Sequence, residues 1–262
     1  MDRRQFLSAS LATSAITMGG GVAARADHMR EYYQIRRYSL QSGPQQKLTE
    51  NYLSGALIPA LTRMGIAHVG AFKVDVGPET PTYYVLIPST DVAGLAELDL
   101  RLEQDGAFLQ AADPFWSASA TSPAFQRVEY SLLAAFEGWS RITPPPASVS
   151  KSKRIFQLRT YESPSHKDHV VKVKMFHSGE FDIFAKAGFR MVFFGDTLVG
   201  SRMPSLTYML SFTDNAELDA KWDLFRNDPD WKKLSADPRF AYEQIVSNIT
   251  NLILSPLDCS QI

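Results

Sequence analysis

The chain meets its own sequence again when shifted by about 123 residues. Gln34-Ile35-Arg36 falls on Gln157-Leu158-Arg159, and Tyr38 on Tyr161. Gly65-Ile66 falls on Gly188-Phe189, Val76-Gly77 on Val199-Gly200, and Asp91 on Asp214. Thr82–Leu86 meets Leu206–Leu210, and Asp105–Trp116 meets Asp228–Phe240. Each match alone is weak, but a run of them in order marks a duplicated unit. Between the copies lies "RITPPPASVSKSK", Arg141 to Lys153. Its three prolines favour an extended, semi-stiff spacer, and its Ser/Lys tail a flexible one. The expected units are 27–140 and 154–262, joined by a linker over 141–153.

Within each copy the patterning has one order. A strand over 32–40 (154–162) leads into an amphipathic helix over 44–64 (166–187). In the first copy the helix shows apolar spacing at Leu48, Tyr52, Ala56, Ala60 and Met64, ended by Gly65. Pro59 is expected to kink it. Two strands follow, 67–76 and 82–88 (189–195 and 205–212). Asp91 and Asp214 are N-caps for a second helix. A last strand, within 126–137 or 243–254, completes β-α-β-β-α-β, the ferredoxin-like split unit. Its four-stranded sheet carries helices on one face and needs cover on the other. The expected fold class is therefore α+β: two ferredoxin-like units packed sheet to sheet as an intramolecular α+β barrel with pseudo-twofold symmetry. Two units on a linker, each pairing with another chain, is the alternative.

Residues 157–161, Gln-Leu-Arg-Thr-Tyr, resemble the Glu-Leu-Arg-Thr-Tyr opening of NIPSNAP domains, and Asp228-Pro229-Asp230-Trp231 resembles their Asp-Pro-x-Trp segment. The first copy keeps Arg36 and Tyr38 but has Phe108 where the tryptophan is expected, and Gln34 and Gln157 replace the glutamate. The resemblance implies the dimeric α+β barrel fold. It brings no settled chemistry with it.

Residues 1–26 are read as a signal peptide outside the fold. An arginine pair precedes an apolar run from Phe6 to Met18, and Ala24-Arg25-Ala26 supplies a cleavage signal. The run is too short to span a bilayer. Arg3-Arg4-Gln5-Phe6-Leu7 resembles the twin-arginine export signal, with Asp2 where Ser or Thr is usual. The expected location is periplasmic or secreted, with no stable membrane insertion once the signal is removed. Formal net charge is −1; the segment holds three arginines and one aspartate, which leaves −3 for the rest. No basic stripe suggests nucleic acid. The one cysteine, Cys259, excludes an intrachain disulfide. The expected partner is a small molecule, and a homo-oligomer is compatible with the pattern.

Alternation along the strands is expected to turn Tyr33, Ile35, Phe156 and Leu158 toward the helices, and Gln34, Arg36, Tyr38, Gln157, Arg159 and Tyr161 into the space between the sheets. A buried guanidinium is costly unless paired. Either acids such as Glu162, Glu129 or Glu243 satisfy the two arginines, or the arginines hold the carboxylate of a small, partly apolar molecule in a polar barrel cavity. Tyr38, Tyr84, Tyr161 and Tyr208 would then form the walls, and His68 would stand at the mouth as a proton-transfer group. The candidate ligand-binding residues are Arg36, Tyr38, Arg159, Tyr161, Gln34, Gln157 and His68. No catalytic residue is assigned.

His166, His169 and His177 sit on a helix interleaved with Lys167, Lys172 and Lys174, which suits a solvated basic face better than a metal site. No metal and no cofactor are expected, and no nucleophile elbow, phosphate loop or zinc-protease motif is present. A cofactor-independent, monooxygenase-like enzyme is the alternative function. A haem enzyme using His169 or His177 follows by fold analogy alone.

N-terminal sequencing of the exported protein is expected to begin at Asp27, and changing Arg3 and Arg4 to Lys to hold it in the cytoplasm. Periplasmic protein that still starts at Met1 would contradict this.

Overall fold

The computed structural model describes residues 30–262, so the segment expected to be a signal peptide lies outside the described residues. Each half has the same order of elements. The first contains β1 (Tyr32–Ser39), α1 (Pro44–Tyr52), a π-helical turn (Leu53–Leu57), α2 (Ile58–Arg63), β2 (Gly70–Val76) and β3 (Thr82–Ser89). It continues through α3 (Val92–Ala96), α4 (Leu98–Leu102), α5 (Gly106–Trp116) and β4 (Arg127–Ala135). A short helix α6 (Pro146–Ser150) leads into the second half. There β5 (Ile155–Glu162), α7 (His166–Met175), a π turn (Phe176–Glu180), α8 (Phe181–Lys186), β6 (Arg190–Val199) and β7 (Ser205–Phe212) follow. It ends with α9 (Asn215–Asn227), α10 (Pro229–Ser235), a 3-10 turn (Pro238–Phe240), α11 (Tyr242–Ile245) and β8 (Asn248–Pro256).

The local chemistry recurs at an offset of 123 residues. Asp91 and Asp214 cap α3 and α9, accepting from the amides of Gly94 and Glu217, each at 2.9 Å. Gly65 and Gly188 end the long helices at φ 78° and 76°, a left-handed position where a Cβ would be strained. The π turns also correspond, Leu53–Leu57 with Phe176–Glu180. The second has no proline, so Pro59 is not what breaks the helical ladder. The break is a property of the unit.

All eight strands close into one antiparallel barrel, in the order β1-β3-β2-β8-β5-β7-β6-β4. The β2–β8 and β4–β6 ladders join the halves and leave no open edge. Register makes the correspondence exact to the residue: Arg36 lies opposite Val85 and Tyr130, and Arg159 opposite Tyr208 and Asn251. Three apolar layers result. One fills the barrel, with Tyr33, Ile35, Phe156, Leu158, Phe193 and Leu254 among its members. The other two lie between each sheet and its helices.

The segment expected to be a free spacer is built into the fold. Ile142 is buried in the barrel layer and the Thr143 amide donates to the Val192 carbonyl at 2.8 Å. The polar sequence concealed this because one apolar residue ahead of the prolines is enough to anchor it. Cys259 is half-buried, and burial raises its thiol above the ordinary range, which suits an inert side chain.

Phe156→Ala is expected to lower stability by about 3–5 kcal/mol in denaturant unfolding, through the cavity left against Phe72. Val149→Ser, at a position 91% exposed, is expected to stay within about 0.5 kcal/mol.

Candidate polar site between sheet and helices

The two strand faces are reversed relative to the sequence expectation. Tyr33, Ile35, Phe156 and Leu158 point into the barrel. Gln34, Arg36, Tyr38, Gln157, Arg159 and Tyr161 lie under the helices, as their partners show: Leu95 of α3, Asp99 of α4 and Trp222 of α9. In a closed barrel wrapped by helices both faces of a strand are buried, so alternation yields two sets without saying which is inside. An eight-stranded barrel is just wide enough for its own side chains to fill, which draws the apolar set inward. The polar set then sits where helix side chains can satisfy it.

In the first half the arginine is closed off. Arg36 is 1% exposed, and its Nη2 stands 2.8 Å from Oδ1 of Asp99. Its Nε donates to Gln34 Oε1 at 2.6 Å and its Nη1 to the Tyr130 hydroxyl at 3.2 Å. The Tyr130 ring covers the guanidinium at 4.5 Å. The acids expected to serve it are elsewhere: Glu129 pairs with Arg37, Glu162 reaches Asn248, and Glu243 has no part in the pair.

The second half differs at both closing positions. Trp222 stands where Asp99 stands, and Asn251 where Tyr130 stands. No carboxylate among the described residues pairs with Arg159. Its Nη2 donates to the Tyr161 hydroxyl at 2.8 Å, its Nε is buried without a partner, and Trp222 covers it at 4.6 Å. The Trp222 Nε1 donates to Gln157, whose own amide donates to Asn251 Oδ1 at 2.9 Å. Arg159 is only partly buried, and Asn251 beside it is exposed. The Tyr161 and Tyr208 hydroxyls lie 3.5 Å apart. Burial raises the Tyr208 and Tyr242 hydroxyls well above the ordinary range, with Arg159 pulling the other way.

A buried ion pair adjoins this cluster. Lys172 Nζ lies 3.0 Å from Glu180 Oε2, the two side chains 0% and 5% exposed, and it faces the Tyr161 and Tyr242 rings at 5.2 and 5.3 Å. The corresponding first-half residues are Thr49 and Leu57, so this polarity belongs to the second half alone. Sequence reasoning missed Asp99, Tyr130, Trp222, Asn251 and Glu180, and it put His169 and Lys172 on a solvated basic face although both are buried. The offset of 123 would have exposed three of these replacements, Asp99 by Trp222, Thr49 by Lys172 and Leu57 by Glu180.

His68 is exposed in the loop before β2, at the barrel end away from Arg37, and joins neither arginine. His169 is buried with Nε2 2.7 Å from Asp196 Oδ1. His177 uses both ring nitrogens, one at the Val173 carbonyl and one accepting from the Gly138 amide. These bonds leave His177 no nitrogen for an axial ligand. Among the described residues no three His, Cys, Asp or Glu side chains converge as a metal site requires.

The barrel does hold a polar cavity, and of the expected wall residues Tyr84 lines it while Tyr38, Tyr161 and Tyr208 do not. It occupies about 90 Å³ at the mouth formed by the β2–β3 and β6–β7 hairpins, and it is lined by Arg37, Tyr84, Glu129, Thr160, Arg202 and Thr207, among others. Its cations are already engaged, Arg37 by Glu79 and Glu129, and Arg202 by the Glu162 carboxylate at 3.9 Å and the Thr250 hydroxyl at 2.7 Å. A space this small suits a few waters better than a ligand of ordinary size.

Asp99→Ala strands Arg36 without countercharge and is expected to lower stability by about 3 kcal/mol. Arg159→Met orphans no acid and is expected to cost no more than about 1 kcal/mol, the worth of its aromatic stacking. Thermal unfolding of the two variants checks the contrast.

Residues 156–261 match the NIPSNAP family model. None of the curated proteins matches the chain in sequence. Two solved structures share the whole barrel. One is a proposed monooxygenase from Lactobacillus acidophilus NCFM, with TM-score 0.56, 9% identity, and 87% of this chain and 94% of that chain covered. The other is a proposed monooxygenase from Fusobacterium nucleatum, with TM-score 0.55, 9% identity, and coverage of 87% and 93%. At that identity the likeness is one of fold. A NIPSNAP domain protein from Burkholderia xenovorans aligns with 40% of this chain and 95% of its own, at 17% identity and TM-score 0.34. The NIPSNAP match is thus confined to the second half of the chain, the half whose arginine has no carboxylate partner.

Proposed function

We propose that this protein binds a small, anionic, partly apolar molecule at Arg159, in the layer between sheet and helices of its NIPSNAP half. The observation that carries this is the contrast between the two arginines. Arg36 has an internal carboxylate and a tyrosine lid, and Arg159, at the corresponding place, has neither. A mostly buried guanidinium with a partnerless Nε is an unfavourable arrangement until an anion completes it. Tyr161, Tyr208 and Trp222, themselves buried, pack around it together with Tyr242 and give it an aromatic surround. We take the binding to occur after export, on the strength of Arg3-Arg4-Gln5-Phe6-Leu7 and Ala24-Arg25-Ala26.

A second reading, a cofactor-independent enzyme at the same place, is favoured by one observation. The Tyr161 hydroxyl lies within hydrogen-bond reach of Arg159, beside the buried Lys172–Glu180 pair, where it could exchange a proton with a bound anion.

Native mass spectrometry of the full chain purified from cells is expected to show a small-molecule adduct that Arg159→Met loses and Asp99→Asn retains. Benzoate and hexanoate are expected to raise the melting temperature of the parent protein but not of Arg159→Met. Equal shifts in both proteins would reject Arg159 as the anion site.

A further inference from the structure

The first half of the molecule carries a picture of what the second half lacks. The same strand register that puts Tyr130 across from Arg36 puts Asn251 across from Arg159. In the first half an aromatic ring lies over the guanidinium at 4.5 Å, and its hydroxyl oxygen accepts from Nη1 at 3.2 Å. In the second half that place carries a shorter, exposed side chain with no ring. Directly opposed side chains on one face of an antiparallel pair stand within contact, so the missing ring is missing next to Arg159.

From this we infer that the ligand at Arg159 is a planar aromatic anion of the hydroxybenzoate kind. Its ring takes the place that Tyr130 holds in the first half, and an anionic oxygen accepts from the guanidinium. The inference rests on the reading of Arg159 as an anion site and adds the class of molecule. Three further features suit a flat, partly apolar body. Trp222 already stacks on the guanidinium at 4.6 Å, so a ring on the open side would extend an aromatic–cation–aromatic arrangement. Ile249, 38% exposed, lies one alternate position along β8 on the same face and opposite Tyr161, offering the ring an apolar rim. The adjoining Lys172–Glu180 pair is internally matched while Arg159 has no carboxylate partner among the described residues, which calls for a negative ligand.

The test uses the full chain and three probes of similar size: 4-hydroxybenzoate, benzoate and cyclohexanecarboxylate. Binding is followed by calorimetry and by Trp fluorescence. The two planar acids are expected to bind about tenfold more tightly than the saturated one, because only a π-face can stack on the guanidinium. Asn251→Tyr supplies from within the ring that the first half has. It is expected to weaken both aromatic acids at least tenfold while holding or raising the melting temperature. Asn251→Ala leaves the place open and is expected to keep their affinity within about threefold. Equal affinity for planar and saturated acids, with both lost in Arg159→Met, would overturn the aromatic inference and leave the anion site standing. Undiminished aromatic binding in a folded Asn251→Tyr would also overturn it. If no acid binds the parent protein, the anion site itself fails, and this inference with it.

Discussion

Closure of the barrel is the constraint on which the rest depends. Each half is a four-stranded sheet with helices on one side, and neither can leave its other face in water. The β2–β8 and β4–β6 ladders seal the two sheets edge to edge, so each covers the other and no strand is left unpaired. Closure also limits the interior to what a few large side chains fill, such as Phe72 against Phe156 and Tyr33 against Phe193. Groups that need partners are displaced outward, beneath the helices. Apart from the small polar cavity at its mouth, the buried polar chemistry therefore lies around the barrel.

Once the two halves share a backbone plan, differences between them carry information. The halves correspond at the π turns, the helix caps and the ladder register. They part at the arginine. Around Arg36 the first half has an acid, an aromatic ring and apolar neighbours, giving a buried guanidinium paired with a carboxylate that is itself 38% exposed. Around Arg159 the second half has a tryptophan, an asparagine, three tyrosines and a second buried ion pair. A buried ion pair adds little to stability when it replaces apolar packing. The Lys172–Glu180 pair lies against Tyr161 and Tyr242, where the first half has Thr49 and Leu57 at the corresponding places.

Much of the fold was legible because it is local or periodic. Alternation marked the strands, Asp91 and Asp214 announced helix starts, Gly65 and Gly188 announced helix ends, and the offset near 123 exposed the shared plan. The choice of Arg36 and Arg159 as the residues to watch also came from the sequence, since an arginine in the middle of an apolar strand must be answered somewhere. Three points were not legible. The face on which the arginines lie was inverted, because both faces are buried and period-two patterning has no sign. Ile142 gave no hint that it enters the barrel, since one apolar residue in a proline-rich run makes no pattern. His68 was placed near the site on its position at a strand's start, and the loop carries it to the other end of the barrel.

The amino-acid sequence by itself determined the two units, their β-α-β-β-α-β order and the matched positions of Arg36 and Arg159, because these follow from spacing along one chain. Only the tertiary structure decided that Asp99 and Tyr130 close one arginine while Trp222 and Asn251 leave the other open. Those partners come from different helices and strands, and which of them meet is set by sheet register and helix docking, which no local pattern encodes.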